Sequence, residues 1–145
     1  MTQDKIGTYQ VSVRVDQPGL LGSPVLTLDL IVNAANNEIT GRGEIGQSVT
    51  PTQGPYIMDQ LTGTAFVSGF QNDMLIVHLE GEYAHSARHG MGTSIGPFSA
   101  SLFLSRDWNG EGSYSYGRYH VSNCRAANTS EAAPKADLVA ELATA

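Results

Sequence analysis

The nine residues Val25-Leu26-Thr27-Leu28-Asp29-Leu30-Ile31-Val32-Asn33 constrain the fold more than any other stretch of the chain. Leu26, Leu28, Leu30 and Val32 recur at every second position, and side chains of an extended chain alternate between faces. The stretch therefore reads as a strand with one strongly apolar face, opened by Pro24, a residue suited to a strand start. Glu38-Ile39-Thr40-Gly41-Arg42-Gly43-Glu44-Ile45 reads as its return strand. Ala34-Ala35-Asn36-Asn37 joins them, with asparagines that tolerate positive φ. The segment 23–45 is thus a β-hairpin that must bury one face.

The same period of two recurs along the chain. Ile6–Val15 puts Tyr9, Val11, Val13 and Val15 on one face. Leu61–Phe70 follows, then Met74–Tyr83 with Leu75, Val77, Leu79, Gly81 and Tyr83 together, then Phe98–Ser105 with Phe98, Ala100, Leu102 and Leu104. Ser113–Val121 reads as a final strand. Residues 47–60, with Pro51, Gly54 and Pro55, and residues 84–96, with Gly90, Gly92 and Gly96, lack alternation, so both read as long loops. No long amphipathic helix interrupts the series. An all-β, single-domain antiparallel meander of seven to eight strands follows, as a barrel or a β-sandwich spanning residues 1–124.

Composition agrees. Only 15% of residues are charged, against about 25% in an average domain, and 16 of 145 are Gly. The net charge of −6 argues against nucleic acid, which needs a positive surface. No apolar run approaches the ~18 residues of a membrane span, and no signal peptide is visible. Cys124 is the lone cysteine, so no internal disulfide is expected and a cytoplasmic location is favoured, signal-independent export aside. After Cys124 the composition turns Ala-rich, and residues 125–145 read as a tail. It is either disordered or forms a short helix from Pro134 that places Leu138, Val139 and Leu142 on one face.

The run Gly22-x-Pro24-Val25-Leu26-x-Leu28-x-Leu30-x-Val32-Asn33, with Ile39-Thr40-Gly41, Ile45-x-Gln47 and Pro51 beyond, resembles a bacterial family of uncharacterised small domains. Asp107-Trp108, Tyr114 and Tyr116 fit the same resemblance, which covers roughly residues 6 to 120. It implies a bacterial source and a β fold, and no activity. Asn37-Glu38-Ile39-Thr40-Gly41 and Leu61-Thr62-Gly63-Thr64 are also similar to strands of avidin-like meander barrels. Those barrels line their ligand cavity with several tryptophans. Trp108 is the single one here, so biotin binding is not implied.

Two residue sets carry candidate chemistry. Tyr56, Tyr114, Tyr116, Arg118 and His120 are aromatic, basic and polar groups suited to a planar or sugar-like ligand. Alternation places Tyr114, Tyr116, Arg118 and His120 on one face, although aromatic cross-strand packing explains such a row equally well. His78, Glu80 and Glu82 share one strand face in steps of about 6.5–7 Å. With His85 and His89 of the following loop they make an alternative metal-binding or ligand-processing set. A solvated outer face explains the first three as well. No residue is read as catalytic and no cofactor is expected. Cys124 has Arg125 beside it, a neighbour able to lower a thiol pKa, yet no general base accompanies it. The expectation is an acidic binding or interaction module for a small molecule or a protein.

Overall fold

The structure is a computed structural model and describes residues 8–19, 23–47, 55–68, 74–86 and 92–130. Eight strands follow in chain order: β1 (Thr8–Asp16), β2 (Pro24–Asn33), β3 (Glu38–Gln47), β4 (Tyr56–Val67), β5 (Leu75–Ser86), β6 (Thr93–Leu104), β7 (Gly110–Tyr116) and β8 (Tyr119–Asn128). Each pairs antiparallel with the next. β8 then returns to β1 through Val13↔Asn128, Val15↔Ala126 and Asp16↔Arg125, closing a barrel with no open edge. The all-β meander expected from the sequence is found, as a barrel and not a sandwich.

The β2–β3 hairpin forms as its alternation requires. Leu26, Leu28, Leu30 and Val32 face inward opposite Ile45, Gly43, Gly41 and Ile39. The glycines make room for the leucines: a Cβ on Gly43 would lie 2.9 Å from Leu28 Cδ2 and 3.1 Å from Met58 Cε. Asn37 closes the turn at φ 61°, a conformation open to asparagine. Inward residues from all eight strands merge into one apolar core, and no residue buried in the described structure is polar or charged by type. An eight-stranded barrel is just wide enough for side chains to fill it, and here they do.

Four sequence expectations are corrected. Tyr56–Gln60 belongs to β4 and not to a loop. A bulge spans Asp59 and Gln60, so Met58 and Leu61 both face inward although three residues apart, which hides the period of two. Ala84–Ser86 and Thr93–Gly96 likewise are paired strand, not loop, extending the β5–β6 ladder to Ser86↔Thr93. Ser113–Val121 is not one strand: it turns at Gly117-Arg118, with Gly117 at φ 63°, and splits between β7 and β8. β8 also runs past Cys124 to Asn128, so Arg125–Asn128 close the barrel instead of opening a tail. A second bulge at Ser122-Asn123, with Asn123 at φ 56°, lets Val121 and Cys124 both face inward. Residues 131–145, with Pro134, Leu138, Val139 and Leu142, lie outside the described residues, as do Leu20 and Leu21.

The meander gives the barrel two distinct ends. The turns 34–37 and 105–109 and the end of β4 lie at one. There Trp108, at φ 67° and 0% exposed, turns inward as a plug against Tyr9, edge-on with ring centroids 6.3 Å apart. Asn128 staples this turn to β8: its N–H donates to Asn109 Oδ1 (2.8 Å) and its Nδ2 to the Asp107 carbonyl (2.9 Å). The ends of β1, β3 and β5 and the Gly117-Arg118 turn lie at the other end.

Candidate functional site

That second end collects aromatic side chains from four strands. Tyr56 opens β4, Tyr83 and His85 lie near the end of β5, Tyr116 ends β7 and Tyr119 opens β8. All point along the inner face because the strand registers bring them there: Tyr56↔His85 across β4–β5 and Tyr116↔Tyr119 across β7–β8. Tyr56 stacks on His85 with centroids 4.0 Å apart and planes 8° apart. It meets Tyr83 (5.0 Å) and Tyr116 (4.9 Å) edge to face. Tyr116 in turn lies 5.3 Å from Tyr119, which is 49% exposed and has the Arg118 guanidinium 5.7 Å from its ring centroid. Edge-to-face and offset pairs of this kind are the favoured aromatic geometries.

The phenol groups influence one another. Burial pushes the Tyr56 pKa up, and the Tyr119 and Tyr83 hydroxyls add to it. Burial also raises Tyr116, with Tyr56, Tyr119 and Tyr83 adding to it. Four tyrosine rings thus gather at one end of the barrel. His85 Nε2 is buried with no hydrogen-bond partner in the described structure.

Tyr114 lies one layer deeper. It is fully buried, stacked 6.0 Å from Tyr116, with its hydroxyl donating to the Pro24 carbonyl at 3.3 Å. It supports the end from within the core. His120 does not join the group. The Gly117-Arg118 turn resets the alternation, so His120 faces outward opposite Ser115, whose Oγ lies 2.7 Å from His120 Nδ1. Of the five residues singled out as ligand-binding in the sequence, Tyr56 and Tyr116 come together, Arg118 borders them, Tyr114 underlies them and His120 points away. Tyr83, Tyr119 and the inward orientation of His85 were missed. Tyr83 carried a signal, since it continues the inward series of β5; His85 carried none, because the Gly-rich stretch after it reads as loop.

The alternative metal set is divided. His78, Glu80 and Glu82 are on the outer wall, where His78 Nε2 contacts Glu80 Oε2 at 2.9 Å and His78 Nδ1 lies 3.4 Å from Ser101 Oγ. His85 faces the inside of the same strand, and His89 lies outside the described residues. No group of three or more His, Cys, Asp or Glu side chains able to hold a metal occurs among the described residues. Cys124 is buried within β8, and burial, with Asp16 adding, pushes its thiol up to about 11. Arg125 does not lower it, because adjacent strand residues face opposite sides and Arg125 is exposed on the outer wall.

Fold and site together define a small meander barrel with a filled interior and an aromatic end. The chain belongs to the family described as Domain of unknown function (DUF1842), whose model matches residues 6–121. That match spans the barrel from β1 into β8. No curated protein matches the chain.

Proposed function

We propose that the protein is a ligand-binding module whose site is the tyrosine end of the barrel, formed by Tyr56, Tyr83, His85, Tyr116 and Tyr119. One observation carries this reading: four tyrosine rings and the His85 imidazole, whose Nε2 has no hydrogen-bond partner among the described residues, gather at one end of an otherwise apolar barrel. Among the described residues, the opposite end shows a single aromatic pair, Tyr9 with Trp108. Aromatic residues with polar tips offer a ligand both contact area and hydrogen bonds. The residues sit at strand ends near the Gly117-Arg118 turn, and binding sites on rigid scaffolds concentrate beside such connections.

The test is a thermal-shift screen of a chemically mixed small-molecule library, run in parallel on the wild type and on Tyr119→Ala. A true ligand stabilises the folded state by mass action. Hits that raise the wild-type Tm and lose that effect in Tyr119→Ala are expected. Hits that stabilise both proteins equally would place binding elsewhere.

A further inference from the structure

We infer that the outer wall of β4, β5 and β6 docks a second copy of this chain, as a weak two-fold dimer. These strands have twelve residues each, and their outward side chains run in register along the barrel. Phe66, Ile76 and Phe103 form one cross-strand row, with the three side chains 52%, 39% and 46% exposed. Ile57, Ala84 and Ile95 form a second row toward the tyrosine end, where Ile57 is 41% and Ile95 68% exposed. Between them lie the rows Thr64↔His78↔Ser101 and Thr62↔Glu80↔Ser99, all small or polar. Single exposed apolar side chains need no explanation, whereas large ones gathered in rows and rimmed by polar residues mark an interaction surface.

The order of these rows selects the occupant. On β5, Glu80 lies midway between Ile76 and Ala84, so a two-fold axis across the strands at its level lays each apolar row on the other. Phe66 then faces the second copy's Ile57, Ile76 faces its Ala84 and Phe103 faces its Ile95. The same operation sets His78 against the second copy's Glu82, an imidazole against a carboxylate. An axis along the strands would instead set His78 on His78 and Glu82 on Glu82, so charge favours the first arrangement. Glu80 meets its own copy on the axis, where each carboxylate keeps its His78 contact at 2.9 Å. A surface complementary to itself in this way is what a two-fold interface requires. Three strands about 4.8 Å apart, over the roughly 26 Å from one apolar row to the other, present about 370 Å². That is about half of the ~800 Å² per partner of a standard interface, so the dimer is weak and reversible.

The experiment is sedimentation velocity of the full chain between about 10 µM and about 1 mM, the range in which a weak dimer forms. The wild type should shift from monomer toward dimer across that range. Phe66→Ser and Phe103→Ser should each weaken association about tenfold or more, the scale of an aromatic anchor in an interface. Ile31→Ser, at a comparably exposed position on β2, should leave association unchanged. Ser99→Cys tests the axis. Ser99 lies level with Glu80 on β6, so the two copies bring it face to face and a short bismaleimide should join them. Cys124 is buried and does not compete for the reagent. A chain that stays monomeric at the highest concentration overturns the inference. If ending it at Ser130 then produces the dimer, residues 131–145 are the occupant of the wall instead. A dimer indifferent to Phe66 and Phe103 overturns the choice of wall. One that depends on them yet does not cross-link through Ser99→Cys overturns the two-fold arrangement.

Discussion

At the scale of residues, the tyrosines divide by environment, and pH reports the division. Burial pushes Tyr9 up to about 12, against an ordinary value near 10, while its contact with Trp108 pulls it partly back. Trp108 Nε1 and the Tyr9 hydroxyl are both buried without a well-aligned hydrogen-bond partner, so that contact only weakly offsets the desolvation. Burial also drives Tyr114 up strongly, with Cys124, Tyr116 and Asp16 adding. A group whose folded pKa is raised contributes stability that is fully present below its unfolded pKa and lost as pH rises toward the folded one. Stability should therefore hold up to about pH 9, where the Cys124 thiol starts to count, and fall steadily as pH climbs through 10 toward 12. Urea unfolding at stepped pH checks this, and a flat profile across that window would contradict the buried phenols. The same burial makes Cys124 slow to alkylate. Iodoacetamide at neutral pH should label it far more slowly in the folded chain than in urea, and equal rates would mean an exposed thiol.

At the scale of elements, strands were legible where the period of two ran unbroken and illegible where a bulge or turn reset it. Leu26 to Val32, Leu75 to Leu79 and Phe98 to Leu104 show their buried face directly in the sequence. The start of β4 does not, because the bulge at Asp59-Gln60 puts Met58 and Leu61 on one face at odd spacing. The same reset at Gly117-Arg118 explains why His120 was assigned to the face of Tyr116 and in fact lies on the opposite one. Leu28→Ala should cost about 2–5 kcal/mol, as for other buried leucines, and a loss as small as a surface change would refute the inward face. Gly63→Ala should be severe as well, since its Cβ would collide with the His78 backbone carbonyl, which has no flexible end to yield. β8 supplies a further test. Ending the chain at Arg125 removes Ala126 from the core and the Asn128 bonds that hold the Trp108 turn. It should lower Tm by more than about 8 °C. Ending at Ser130 keeps every one of these pairings, so the contrast between the two lengths locates the edge of the barrel.

At the scale of the molecule, the candidate site was only half legible because it is assembled by closure. Tyr56, Tyr83, His85, Tyr116 and Tyr119 come from four strands and share no local motif. Their neighbourhood depends on register and on the meander closing β8 against β1. The outer wall offers rival surfaces: His78 with Glu80, and the register row Phe66↔Ile76↔Phe103, whose side chains are 52%, 39% and 46% exposed. What distinguishes the tyrosine end is the gathering of five aromatic rings from four strands. The most direct measurement is amide chemical-shift mapping of the isotope-labelled chain against ligands that emerge from an unbiased screen. Shifts should concentrate at Tyr56, Tyr83, His85, Tyr116 and Tyr119 and vanish in Tyr119→Ala. Shifts centred on His78 and Glu80, or on Phe66, Ile76 and Phe103, with the tyrosine end silent, would contradict the account.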